Sequence, residues 1–455
     1  YRIMTITFGP GIAITGNTIS ANVSLGAPVV TTATVVSATT ATVTFTAPPL
    51  NGNPPITSYV ATSSPGSITG TLTQSGSGTI TVSGLTPANT YTFTISAYNI
   101  FGLGSTSAAS NNITTPSIYP TFNTPVVMNN ETTLQATMFS VAVNSSGLFA
   151  AVGQDNNQYA VYAYSNNGSS WTTPARMNGV ATVAQMLSVA VNSAGLFVAV
   201  GFSSPDGYPL YATSSNGSTW TTPARMNGST TPAIMRSVTV NSAGLFVAVG
   251  YNSSNYPVYA TSSDGSTWTT PALMNGSTTA ARMNSVAVNS AGLFVAIGSA
   301  IPGSYYAVYA TSSNGSNWTT PALLSGTGTY AILGSLTVNS SGLFVAVGKD
   351  GNNYPAYATS SNGSTWTTPV AMNGTTTGGN MASVAVNSSG IFVAVGNVSS
   401  YSAYAASSDG STWTTPAIMD GVTDYGNLDS ITVNNSGLFV AVGTNGAYPS
   451  YTTSK

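Results

Sequence analysis

Val238-Thr-Val-Asn-Ser-Ala-Gly-Leu-Phe-Val-Ala-Val-Gly250, and then Ser262-Ser-Asp-Gly-Ser-Thr-Trp-Thr-Thr-Pro271, decide the architecture because both phrases recur. The first begins again, with small changes, at Val141, Val189, Val286, Leu336, Val384 and Ile431. The second holds all six tryptophans, Trp171, Trp220, Trp268, Trp318, Trp366 and Trp413, at spacings of 47 to 50 residues. Each repeat divides into four short β-rich runs punctuated by turn residues. In the third repeat, Ser237–Asn241 alternates as an inner strand. Leu245–Gly250 is a continuous apolar run suited to a strand covered on both faces. Pro257–Ser262 is the third strand. Asp264-Gly265 supplies the positive φ of a tight turn into a fourth strand over Thr267–Pro271.

Four antiparallel strands in a unit of about 48 residues make a propeller blade, and no helical periodicity interrupts the series. The expected fold is all-β, with a seven-bladed β-propeller over residues 117–455. The last repeat stops at Tyr451–Lys455, short of its own fourth strand. The missing piece lies upstream. Thr121-Phe-Asn-Thr-Pro-Val-Val-Met128 matches Thr267-Trp-Thr-Thr-Pro-Ala-Leu-Met274, with Phe122 at the tryptophan position. This segment is therefore expected to close the ring as the outer strand of blade seven, leaving no open edge.

The turn-and-tryptophan phrase resembles the Asp-box of sialidase-like (BNR) propellers, Ser-x-Asp-x-Gly-x-Thr-Trp, one residue shorter here. Only Asp264 and Asp409 keep the carboxylate, whereas Asn167, Asn216, Asn314 and Asn362 replace it. The resemblance implies a folding element rather than an active site. The sialidase reaction would need three arginines, a Tyr–Glu pair and an Asp acid. The propeller has only Arg176, Arg225, Arg236 and Arg282, and the one Glu of the chain is Glu131. The eight Asp residues are scattered, so the convergent carboxyl pair of glycoside hydrolysis is not expected either. The expectation is that the protein is not an enzyme and carries no cofactor or metal.

Residues 27–116 lose the repeat. Thr42–Thr46 and a run from Pro54 to Tyr59 precede Ile80-Thr-Val-Ser-Gly-Leu85 and Tyr91-Thr-Phe-Thr-Ile-Ser-Ala-Tyr98. This stretch resembles a fibronectin type III β-sandwich, with Leu85 and Tyr91 at the spacing of its tyrosine corner and Phe45 where many members place a tryptophan. Residues 1–26 are too few for a domain. Phe8 to Ser20 reads as a β-arm around a Gly16-Asn17 turn, packed on the sandwich or donated to another subunit. The chain opens at Tyr1, consistent with a removed leader or with a start inside a longer polypeptide.

Only 4% of the residues are charged, the net charge is −2, and His and Cys are absent. No basic run offers a footprint for nucleic acid, and no apolar run is long enough for membrane insertion. A surface of Ser, Thr, Asn, Gly and Tyr repels its own copies weakly. The sequence thus points to a structural protein of the extracellular space, cell surface or virion surface, adhesive in role. Its partners would be copies of itself or other surface or virion subunits. The alternatives are a glycan- or receptor-binding propeller and, against the residue inventory, a divergent glycosidase.

Any ligand is expected on the rim that collects the loops between strands two and three and the loops from strand four to the next blade. That rim carries Tyr159, Tyr208, Tyr256, Tyr305, Tyr354, Tyr401 and Tyr448, with Arg176, Arg225, Arg236 and Arg282 at or near it. Tyr and Arg dominate binding hot spots, and aromatic faces stack on sugars. The plainer reading is that these tyrosines pack the third strands.

Overall fold

The computed structural model describes residues 12–15, 18–21, 25–130, 135–178, 183–275, 280–300, 306–324, 330–419 and 425–455. The chain divides into two compact units, Tyr1–Ile118 and Tyr119–Lys455. No helix among the described residues is long and apolar enough to cross a membrane.

The first unit holds the sandwich. One sheet is formed by Val29–Ser37, Thr40–Thr46 and Gly78–Ser83, the other by five strands centred on Ser58–Ser64 and Thr90–Asn99. Strict alternation in Thr90–Asn99 buries Tyr91, Phe93, Ile95 and Ala97 in one core with Val43, Ile80 and Val82 of the facing sheet. Phe45 fills the centre, its ring 4.3 Å from that of Tyr59. The Thr86 N–H donates to the Tyr91 hydroxyl at 2.8 Å, which makes the tyrosine corner. At the N-terminus, Ile12–Thr15 pairs antiparallel with Thr18–Ala21, one strand on each side of the Gly16-Asn17 position read as a turn. The Gly16-Asn17 turn and the arm's side-chain contacts lie outside the described residues.

In the second unit the described residues form seven four-stranded antiparallel sheets, numbered here as blades in chain order of their inner strands. The inner strands are Ala136–Val143, Ala184–Val191, Ala233–Val240, Ala281–Val288, Ala331–Val338, Gly379–Val386 and Gly426–Val433. Each packs against the next, and the last packs against the first. Blade 7 takes its outer strand from upstream: Val126 pairs with Tyr451, Val127 with Ser450, and Phe122 bridges Ser454. This is the closure expected from the sequence.

The second strands explain the apolar run. In Phe246–Asn252 the first five residues are all buried. Phe246 and Ala248 face the core shared with blade 2, whereas Val247 and Val249 face the core shared with blade 4. A strand with period-two side chains and protein on both faces has no room for polar residues.

Two features differ from the sequence reading. The fourth strand is Ala272–Leu273, not Thr267–Pro271. Pro271 has no N–H to donate to a ladder, and the Trp268 indole folds back to donate to the Gly265 carbonyl at 3.0 Å. The inner strand starts earlier, at Ala233, because a β-bulge between Met235 and Ser237 breaks the alternation. The bulge drives the Ile234 carbonyl against Gly250, where a Cβ would stand 1.8 Å from that oxygen. Only glycine fits there, which accounts for the Gly that ends every Val-Ala-Val-Gly phrase.

The bulge also turns Ser237 toward blade 4, where its Oγ accepts the Val286 N–H at 3.2 Å. The same bond is made at every blade junction. Val189, Val238, Leu336, Val384 and Ile431 donate to Ser140, Ser188, Ser285, Ser335 and Ser383, and Val141 closes the circle on Ser430 at 3.1 Å.

Candidate functional site: the axial cavity and its rim

The loops between strands two and three and those leading into the inner strands share one rim. Main-chain bonds lace them together: Ala184 N–H donates to Gln158, Ala233 to Gly207, Ala281 to Asn255 and Gly379 to Asn353, at 2.7–2.9 Å. The two–three loops are braced from within. Asp155, Asn252 and Asp350 each accept two backbone N–H groups through Oδ1, one of them from Tyr159, Tyr256 and Tyr354 respectively.

Against this frame, Tyr159, Tyr208, Tyr256, Tyr354, Tyr401 and Tyr448 all stand half-buried at or just before the third strand of their blades. Tyr305 lies outside the described residues. Three of the four arginines are already engaged. Arg176 pairs with the buried Asp155 at 2.6 Å and covers the Tyr159 ring at 4.2 Å. Arg225 covers Tyr208 at 3.7 Å, with Asp206 at 3.9 Å. Arg282 covers Tyr251 at 4.7 Å, and its Nε donates to Asn255 at 2.9 Å. Arg176 with Tyr159 and Arg225 with Tyr208 thus form separate pairs, each within its own blade.

Arg236 is different. It is the bulged residue of the blade 3 inner strand, it is exposed, and it lines a cavity of about 560 Å³ on the axis. The other bulged residues, Phe139, Leu187, Asn284, Gly334, Ala382 and Asp429, line the same cavity. Gln185, Ile234, Ile332 and Asn380 add to the wall from two residues earlier in their strands, as do Phe202 and Tyr251 from second strands. A bulge is the local means by which each blade aims one side chain inward instead of at its neighbour.

Sequence reasoning passed over this ring, although the signal was present. The three-residue units Met138-Phe-Ser140, Met186-Leu-Ser188, Met235-Arg-Ser237, Met283-Asn-Ser285, Leu333-Gly-Ser335, Met381-Ala-Ser383 and Leu428-Asp-Ser430 vary only moderately at their ends and completely in the middle. The Met or Leu is fixed by the inter-blade core and the Ser by the junction bond, which leaves the middle residue free to vary.

Asp429 is reachable from the cavity yet enclosed by protein, and burial pushes its carboxyl up to about 7. The Asn427 amide donates to it and works in the opposite direction, and Asn397 in turn donates to Asn427 at 2.8 Å. Asp264 and Asp409 belong instead to the hairpin turns between strands three and four, away from this rim. Their Oδ1 atoms accept the N–H groups of Ser266 and Thr267, and of Ser411 and Thr412. Among the described residues no group of His, Cys, Asp or Glu is arranged to hold a metal ion.

No curated protein matches the chain. Among solved structures, a lectin from Burkholderia pseudomallei aligns over 70% of this chain and 98% of its own, with TM-score 0.52 and 12% identity, which is a likeness of fold. A Hadza microbial sialidase aligns over 92% and 93% (TM-score 0.42, 12% identity), and the Aleuria aurantia lectin over 63% and 96% (TM-score 0.41, 12% identity). Residues 26–113 match the fibronectin type III domain. Residues 111–367, more than half of the chain, match the BNR repeat-like domain, and the chain belongs to that family.

Proposed function

We propose that this is a non-catalytic carbohydrate-binding protein of the extracellular space or cell surface, and that it binds in the axial cavity. The observation that carries this reading is the composition of the cavity wall. Aromatic and aliphatic faces (Phe139, Leu187, Phe202, Tyr251) meet side-chain amides (Gln185, Asn284, Asn380) around a concavity large enough for a sugar. Sugars present this same combination of apolar ring faces and hydroxyl edges. Glycoside hydrolysis needs two carboxyls flanking one bond, and the described wall offers Asp429 alone. The sparse charge of the chain and its fibronectin type III partner domain suit a crowded surface setting.

A glycan array probed with the full chain tests the reading, alongside Phe139→Ala and Asn380→Ala and an assay for released sugar. Binding that both substitutions reduce, without hydrolysis, is the expected result. Hydrolysis at an enzymatic rate, or no glycan bound at all, overturns it.

A further inference from the structure

From Ile3 to Ile118 the chain has no Asp, Glu, Lys or Arg, so the fibronectin type III sandwich is built without a single charged side chain. Five large apolar residues stand open at one end of it. Val29 is 64% exposed, Ile100 78% and Leu103 61%, with Leu50 and Phe101 exposed beside them. The backbone gathers these five around the strand entry at Leu25-Gly26. The Leu25 carbonyl accepts the Ser105 N–H at 2.9 Å, and a Cβ on Gly26 would stand 3.4 Å from Pro48 Cβ. Val29 pairs with Thr46, two residues before Pro48, and Leu50 follows two residues after it. Ile100 and Phe101 turn the chain from Asn99 to its partner Gly102, and Leu103 comes next. A lone exposed aliphatic is ordinary, but five at one end make a patch, and such a patch marks a contact surface. The opposite end of the sandwich is where Ile113 and Thr114 pair with Tyr91 and Thr90.

The patch end also receives the N-terminal ladder. Its register sets Ile14 opposite Ile19 and Ile12 opposite Ala21, so these four positions share one face, and Ala13, Thr15, Thr18 and Ser20 share the other. Two strands of four residues are marginal in water unless an apolar face is covered. Four peptide steps join Ala21 to Leu25, which keeps the ladder within about 14 Å of the strand entry. We propose that two copies of this chain pair at this end, the ladder of each laying its isoleucine face on the Val29–Leu50–Leu103 patch of the other. A two-fold axis there makes the contact twice for one set of residues. The choice of partner follows from charge. A domain with no ionisable group from Ile3 onward offers nothing to steer an acidic or basic protein, and it does not repel its own copy. This pairing is independent of the carbohydrate reading, which concerns the propeller.

Light scattering on the full chain, run over a range of concentrations, tests the proposal. A mass of two chains is expected. Ile14→Asp on the ladder and, separately, Leu103→Ser on the patch should each return it to one chain, with circular dichroism unchanged. The chain has no cysteine, so introduced thiols report which copy supplies the ladder. Ile19→Cys protein mixed with Leu103→Cys protein should form a disulfide-linked dimer in oxidising buffer, well beyond what either forms alone. The double variant should likewise link two chains. A parent of one-chain mass, a dimer that survives both substitutions, or a disulfide closed within a single chain of the double variant overturns the pairing.

Discussion

The Phe122 ring lies 5.1 Å from that of Tyr404, in the place a tryptophan takes beside the matching tyrosine at each other blade junction. The other pairs are Tyr162–Trp220, Tyr211–Trp268, Tyr259–Trp318, Tyr309–Trp366, Tyr357–Trp413 and Tyr451–Trp171, at 6.0–6.4 Å. Each pair joins one blade to the next, so Phe122 and Trp171 hold the two sides of the blade that closes the ring. Phe122 is buried. Phe122→Ala should cost about 3–5 kcal/mol, as for a core aromatic, and Phe122→Trp should cost much less. Urea denaturation followed by tryptophan fluorescence checks both, and an Ala variant as stable as the parent would mean that the closing strand does not support the ring.

Gly265 combines two constraints. Its φ is +76°, and a Cβ there would stand 2.6 Å from Val198 Cγ2 in the neighbouring blade. Gly265→Ala should therefore cost about 2 kcal/mol or more, from left-handed strain together with overpacking. The double variant with Val198→Ala should recover the packing part and keep the strain, which a double-mutant cycle in urea separates. Full additivity would show that the two blades do not meet at this glycine.

The circle of serine bonds makes a stricter statement about closure. Ser430→Ala leaves the Val141 N–H at the blade 7–blade 1 junction without its partner, and Ser237→Ala does the same to Val286 between blades 3 and 4. A buried N–H left unpaired costs about 1–3 kcal/mol. The two variants should be destabilised alike, because the junction where the ends of the chain meet has the same geometry as an internal one. A Ser430→Ala variant markedly milder than Ser237→Ala, by calorimetry, would mean that the ring opens at that junction before it unfolds.

Most of the fold was legible because the repeat writes it several times over. Turn glycines, tryptophans and the two-sided second strands each obey a local rule, and Phe122 could be matched to Trp268 by alignment alone. The bulge was not legible. It leaves the composition unchanged and shifts the phase of the side chains by one, so the stretch from Ala233 to Arg236 did not read as a strand. The cavity went with it, since seven of its lining residues are the ones the bulges turn inward. The rim tyrosines were legible as residue types, but the arginines of their own blades that cover Tyr159 and Tyr208 were not.

Two carboxyls should shape the pH dependence of stability in opposite directions. Burial pushes the Asp409 carboxyl up, but the Thr412 and Ser411 N–H groups outweigh it and hold the group at about 2. The stability it contributes is present above the unfolded-state value near 4 and is lost as the pH falls toward 2. Asp409→Asn, the residue found in four other blades, should keep the turn and shrink that acid limb, leaving the share of Asp264, whose carboxyl the Thr267 and Ser266 N–H groups hold lower still. Asp429 has the opposite sign. Its folded pKa of about 7 lies above the unfolded value, so the folded chain holds a proton that the unfolded chain has released. Stability should then decline from about pH 4 to about pH 7 and level off above it. Asp429→Asn removes the penalty, and should stabilise the propeller at pH 8 while leaving it nearly unchanged at pH 3. Denaturation midpoints of parent and variant at those two pH values measure the difference directly. Equal gains at both would mean that the carboxyl ionises as freely in the cavity as in water.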